Sequence, residues 1–234
     1  MTEIKMPTPG ESSGLPPSGT YLAICYGIAF LGTVEEEYRG EPRKEQKIAI
    51  LWELPTEKIV FDETKGEQPL SVNNTYNFKS GEKATLFKHI NLWSANQITQ
   101  ANISDFNTTK LIGRPCLLTL EKYTYQSKGK EREDFNVVGI SAVDKGREIP
   151  AQTNESLIFH IDEFEEKLFF RLPPLVRYVC AQSKEFEQKG LDYEAMQKAY
   201  YDGLDNKREQ KESQSEQKEE TGNKGSEDTG TAWV

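Results

Sequence analysis

Cations and aromatic rings interleave through residues 122–135. Lys122, Lys128, Lys130 and Arg132 fall among Tyr123, Tyr125 and Phe135. A single nucleic-acid strand needs that combination, positive charge for its phosphates and flat rings for its bases. A second set lies upstream, with Arg39, Arg43, Lys44, Lys47 and Lys79 as cations and Trp52 and Tyr76 as rings. Together these are the candidate DNA contacts. Two observations pull the other way. Glu121, Glu131, Glu133 and Asp134 cancel the four cations of the 122–135 stretch, as on a solvated loop tip. Trp52 alternates with Ile48 and Ile50, which suits core packing as well as stacking.

Other chemistries are poorly supplied. The chain has no Walker loop, no Gly-x-Gly-x-x-Gly and no His-Glu-x-x-His. Glu35-Glu36-Glu37 resembles a metal-binding carboxylate run, but consecutive acids in a Gly- and Pro-containing loop are usually solvated surface. With only His89 and His160 and no Cys-x-x-Cys, no zinc site is expected. The sequence therefore reads as a non-catalytic protein without cofactor or metal. A nuclease built on the triple glutamate is the enzyme it would have to be otherwise.

The elements that would position the candidate residues are mostly strands. Tyr21–Val34 is β-rich and punctuated by Gly27 and Gly32, which predict bulges or bends. A charged loop is expected over Glu35–Glu45. Lys47–Leu54 is the clearest strand, with Ile48, Ile50, Trp52 and Leu54 alternating against Lys47, Ala49, Leu51 and Glu53, and Pro55 ending it. A polar connection spans 56–71, and Thr75–Lys79 reads as a third strand with Tyr76 and Phe78 on one face. Ser80 is placed to cap a helix through about Ala95, carrying Leu86, Ile90 and Trp93 on one face. Leu111–Val143 then reads as a long antiparallel hairpin, its two apolar runs joined by a polar connector around Gly129. The order of three strands, helix and two strands predicts a mainly β protein with helices (α+β). The specific expectation is a five-stranded OB-fold, a Greek-key barrel with a helix between strands 3 and 4. A different β-sandwich with one incidental helix is the competing architecture.

The domain plan runs as follows: an extended lead-in over 1–18, the OB domain over 19–147, a helical extension over 148–204 and an acidic tail over 205–234. In the extension, Pro174 is placed to open a helix from Leu175 to about Glu187, and Tyr193–Leu204 reads as a further helical piece. These helices suit packing on the barrel or on a second copy, so a homo-oligomer stays open.

The net charge of -9 is unevenly spread. Residues 1–150 hold 20 acids and 18 bases, whereas 151–234 hold 18 acids and 11 bases, so the front part can present a local basic groove. Residues 205–231 lack hydrophobic periodicity, and their composition predicts a disordered segment. The segment ends in Asp228, Trp233 and Val234, an acidic and apolar tip suited to docking in a basic, hydrophobic pocket of another protein. Cys25, Cys116 and Cys180 are odd in number and far apart, which suggests a reducing compartment. The longest apolar run, Tyr21–Leu31, is too short to span a bilayer, and no signal-like segment is read at the start. A cytoplasmic protein that does not enter the membrane is expected.

A resemblance sharpens this reading. In order along the chain come Gly19-Thr20-Tyr21, Ile50-Leu51-Trp52-Glu53-Leu54, Gly66 with Pro69, and Tyr76 to Ser80. Lys83, Leu86, Leu92-Trp93 and Leu111-Ile112-Gly113-Arg114-Pro115-Cys116 follow, then Leu172-Pro173 and Ser183-Lys184-Glu185-Phe186. This ordered set, over roughly residues 19–187, resembles the OB-fold single-stranded DNA-binding proteins of bacteriophage and prophage replication or recombination modules. The resemblance implies an OB-fold and a role in coating single-stranded DNA in the bacterial host cytoplasm. Members often carry Arg-Gly after the Trp that ends the helix, where this chain has Ser94-Ala95. The tail is similar to the partner-docking tails of bacterial single-stranded DNA-binding proteins, which implies phage or host replication or recombination proteins as partners.

Overall fold

The first strand organises everything else, and glycine lets it do so. The computed structural model describes residues 15–60, 66–127 and 129–206, and the chain divides into two compact units between Gln188 and Lys189. In the first unit, β1 (Gly19–Tyr38) pairs antiparallel with both β2 (Glu41–Ile59) and β4 (Pro115–Ser127). The two pairings divide the length of β1, β4 along Gly19–Ile24 and β2 from Ile24 to Tyr38. Its register with β2 shifts between Cys25 and Gly27 and again between Phe30 and Gly32, so both expected glycine irregularities are present. Gly32 has φ +90, and a Cβ there would lie 2.5 Å from a Glu185 oxygen. Neither the backbone angle nor the space admits a side chain.

The remaining strands are β3 (Gln68–Asn77) and β5 (Lys130–Ser141), with the short β6 (Leu157–His160) parallel to β1. The sheet order is β3-β2-β1-β4-β5 with β6 alongside β1, and it is not closed into a hydrogen-bonded ring. The fold is thus mainly β with helices, an α+β arrangement. Between β3 and β4 comes α1 (Thr85–Trp93), whose Leu86, Ile90 and Trp93 enter the core. That core is lined by Ile48, Ile50, Trp52 and Leu54 of β2 with Leu118 and Leu120 of β4, as the alternation predicts.

Four local expectations are corrected. Residues 35–45 are not a loop: β1 and β2 run on as a ribbon to a two-residue turn at Arg39-Gly40, both at positive φ. Pro55 does not end β2; it sits where the register with β3 slips between Leu54 and Lys58, a place that needs no ladder N–H. The 56–71 connection is correspondingly shorter, because β3 already begins at Gln68. Ser80 does not cap α1, which starts at Thr85 behind Ala84 with no side-chain cap.

The opposite face of β1 and β2 is also covered. Following β6 are α2 (Glu166–Phe169), α3 (Pro174–Ala181) and α4 (Lys184–Gln188). Leu157 meets the spot where a Gly27 side chain would project, beside Leu51. Phe159, Phe164, Phe169 and Phe186 form a ring cluster there with centroids 5.3–6.1 Å apart. Pro174 opens α3 as expected, but the helix ends at Ala181, and Ser183 bridges to Val34 of β1 before α4 begins. The 148–188 segment therefore belongs to the first unit. In the second unit, α5 runs over 193–206, with Asp192 accepting from the Ala195 N–H. Among the described residues, no helix is long and apolar enough to cross a membrane.

Candidate nucleic-acid interface

The β4–β5 hairpin sorts its charges by face. Residues opposite one another in an antiparallel pair share a face, and neighbours along a strand alternate. Tyr123 pairs with Asp134, Tyr125 with Arg132 and Ser127 with Lys130, without a bulge. Tyr123, Tyr125, Lys130, Arg132 and Asp134 therefore share one face. Lys122, Glu131, Glu133 and Phe135 share the other. Of the acids that cancel the cations in a count, Glu131 and Glu133 thus lie on the far side, while Glu121 and Asp134 stay on the face of the tyrosines. On the far side Lys122 meets Glu133 at 3.0 Å, and Phe135 is buried with the core. The Lys122 N–H also donates to Ser18 Oγ at 2.9 Å, tying the hairpin base to the start of β1.

On the outward face the Tyr123 and Tyr125 rings lie 5.9 Å apart, tilted by 34°. Tyr125 is 41% exposed. Burial, with help from Asp134 and Tyr125, pushes the Tyr123 phenol above its usual range, so the ring stays neutral at ordinary pH. Arg132 and Lys130 stand beside these rings. Among the described residues, neither has a carboxylate within ion-pair distance. Lys128 lies outside the described residues, as do Asp228, Trp233 and Val234.

The upstream candidates gather at the other end of β1. Register puts Gly19 opposite Leu120 near the β4–β5 hairpin, and Tyr38 opposite Glu41 at the tip of the β1–β2 ribbon. At that tip Arg43 and Arg39 sit over the Tyr38 ring, 4.6 and 5.3 Å from its centroid. Lys44 pairs with Glu35 at 3.3 Å. Lys47 is buried, pairs with Glu36 and donates to Asn77 Oδ1 at 2.6 Å. Lys79 pairs with Glu45 at 2.6 Å. The triple glutamate lies on a strand, so Glu36 projects opposite to Glu35 and Glu37 and the three carboxylates diverge.

Two candidate rings are core residues. Trp52 is fully buried, its ring 6.0 Å from Trp93. Tyr76 is 4% exposed, with its hydroxyl 3.0 Å from His89 Nδ1. Burial raises the Tyr76 phenol above its usual range and lowers His89 below its own. Neither Trp52 nor Tyr76 offers a face for a base, because the strand alternation that makes them regular also points them inward.

The outer face of β2 is closed as well. Glu53 is fully buried there and accepts from the Thr153 and Asn154 N–H groups and from Asn154 Nδ2, each at 2.7 Å. Its neighbour Leu51 lies under β6. The sequence signal missed for Glu53 was a charge on a strand that is apolar on both faces. Outward on β3, Ser71, Asn73, Thr75 and Asn77 form a polar row, register partners of Glu53, Leu51, Ala49 and Lys47.

Comparison with family models, curated proteins and solved structures returned no match for this chain.

Proposed function

We propose that this chain is a non-catalytic single-stranded DNA-binding protein with an OB-type barrel, acting in a phage replication or recombination module. The observation that carries the reading is the placement of Tyr123, Tyr125, Lys130 and Arg132 together on one outward face of the β4–β5 hairpin, with Glu131 and Glu133 on the other. Exposed rings next to cations bind a strand without reading its sequence, since every base has a flat face and every linkage a charge. The barrel reading draws on the strand order β3-β2-β1-β4-β5 with α1 between β3 and β4, the order of a five-stranded Greek key left open between β3 and β5. The contact is thereby moved away from the outer face of β2, where such barrels often bind, onto the hairpin.

Labelled oligo-dT titrated with the full chain tests this. Binding is expected at micromolar protein or below, weakening as salt rises through counterion release. Tyr125→Ala should cost about 1–3 kcal/mol of binding free energy. Arg132→Ala should lower the salt slope by about one. Absence of binding at micromolar protein and low salt refutes the proposal. One observation favours a second reading, a protein-interaction module: Lys44, Lys47, Lys79 and Lys122 are all engaged by carboxylates. That reading expects no salt-dependent DNA binding and a partner that co-purifies. Docking of a replication or recombination partner through Asp228, Trp233 and Val234 is part of the first proposal and rests on composition alone.

A further inference from the structure

The connector from β3 to α1 holds an aromatic site that the hairpin does not use. Phe78 is the first residue beyond β3 and is 41% exposed. Its N–H donates to the Gln46 carbonyl at 2.7 Å, which fixes the backbone there. Its ring meets Phe30 edge-on at 5.7 Å, and Phe30 in turn stacks on His160 of β6 at 4.7 Å and 25°. The exposed ring is thus backed by two others and cannot simply fold away.

A continuous groove follows the connector. Its polar arm, about 380 Å³, runs between the β3 end and α1 and is lined in part by Asn77, Lys79, Lys83 and Thr85. Its apolar arm, about 220 Å³, includes Phe78, Phe87, Ile90 and Phe106. Between them a shallower stretch takes in Phe78, Lys79 and Lys83 together. Lys79 shares its charge with Glu45. Lys83 is exposed and, among the described residues, has no carboxylate within ion-pair distance. The first turn of α1 adds no acid to the mouth.

We propose that this groove is a second nucleotide subsite, in which a base stacks on the free face of Phe78 and the adjoining phosphate rests on Lys83. A flat apolar ring with an uncompensated cation beside it is suited to one unpaired nucleotide; in a duplex the base faces are already stacked. The inference rests on the single-strand binding proposed above and adds a second point of contact. Asn77 pairs with Lys47, and Lys47 with Gly32, whereas the hairpin lies beside Gly19. Tyr125 lies five residues beyond Leu120 and Phe78 one beyond Asn77, so the two subsites are separated by at most roughly 60 Å along the strand direction, and a strand must be long enough to reach both.

The test uses the full chain with oligo-dT substituted with 5-iodo-deoxyuridine. Irradiation should crosslink a peptide containing Phe78 as well as one containing Tyr125. Phe78→Ala should weaken binding of a long oligo-dT about tenfold, within the range of one lost stack. Lys83→Ala should lower the salt slope by about one. Lys83 is an exposed side chain, so its variant carries the test even if Phe78→Ala loosens the connector. If the wild type binds oligo-dT while both variants bind as it does and no crosslink forms at Phe78, the subsite is refuted and the hairpin reading stands. If the wild type does not bind at all, both fall.

Discussion

Lys47 carries the charge that a phosphate contact needs, but its ammonium is already held by Glu36 and Asn77 in a nearly buried position. Removing it should act on stability rather than on binding. Lys47→Met is expected to lower unfolding free energy by about 1–2 kcal/mol, because a charged hydrogen-bond network loses its donor. The salt slope of DNA binding should stay as in wild type, which a titration at several salt concentrations reads directly. Trp52 makes the same point for rings. Trp52→Phe should leave oligo-dT affinity unchanged while lowering the thermal midpoint, since its ring packs on Trp93 and not on a ligand. The thiols are similarly out of reach. Burial pushes Cys25 and Cys180 up to about 12 and Cys116 well above its usual range. Only the thiolate is a good nucleophile, so a thiol reagent at neutral pH should label the native chain slowly and all three cysteines after unfolding.

At the scale of elements, two carboxylates hold the C-terminal segment of the first unit against β1 and β2. Glu53 receives three hydrogen bonds from Thr153 and Asn154. Glu53→Ala leaves two backbone N–H groups without their acceptor and should cost about 2–3 kcal/mol in urea unfolding. Glu185 of α4 accepts from the Thr33 N–H at 2.7 Å and the Thr33 hydroxyl at 2.9 Å. Burial works to raise its pKa, but the hydrogen bonds from Thr33, a backbone bond of its own and Lys184 outweigh this, leaving it below the usual glutamate value. A lowered folded-state value means the unfolded chain takes up the proton first. The stability from Glu185 is therefore complete above the ordinary glutamate range and is lost as pH falls through its depressed value. Wild type and Glu185→Gln should differ in thermal midpoint at neutral pH and converge in acid. A constant gap down to the lowest pH at which both fold would contradict this.

For the whole molecule, the proposed contacts lie towards opposite ends of β1, so binding should depend on oligonucleotide length. The segment beyond residue 206 enters here through its charge. Its acids have the same sign as DNA phosphates, and the proposal has them compete for the cations of the hairpin and groove. Deleting 207–234 should leave the thermal midpoint almost unchanged, because this composition supplies little apolar surface for a core. DNA binding should tighten, most at low salt where charge competition is least screened. Weaker binding by the truncated chain would contradict the competition.

What the sequence determined by itself was periodicity and punctuation. The alternation from Ile48 to Leu54 was enough to place β2 and its core face, Gly27 and Gly32 marked the bulges, and Pro174 marked the start of α3. These are local signals, set by sterics and by the two-residue repeat of a strand. Tertiary structure decided which charges were spent and which were left. Residues 121–134 balance as a string, and only the pairing of Tyr125 with Arg132 puts Lys130 and Arg132 on the face of the two tyrosines and Glu131 and Glu133 on the other, with Lys122. Lys47, Lys79 and Glu53 read alike as surface charges, yet their partners come from other strands and from a loop about a hundred residues away. The cost of an unpaired buried charge depends on those distant partners, and no local pattern encodes where they will be.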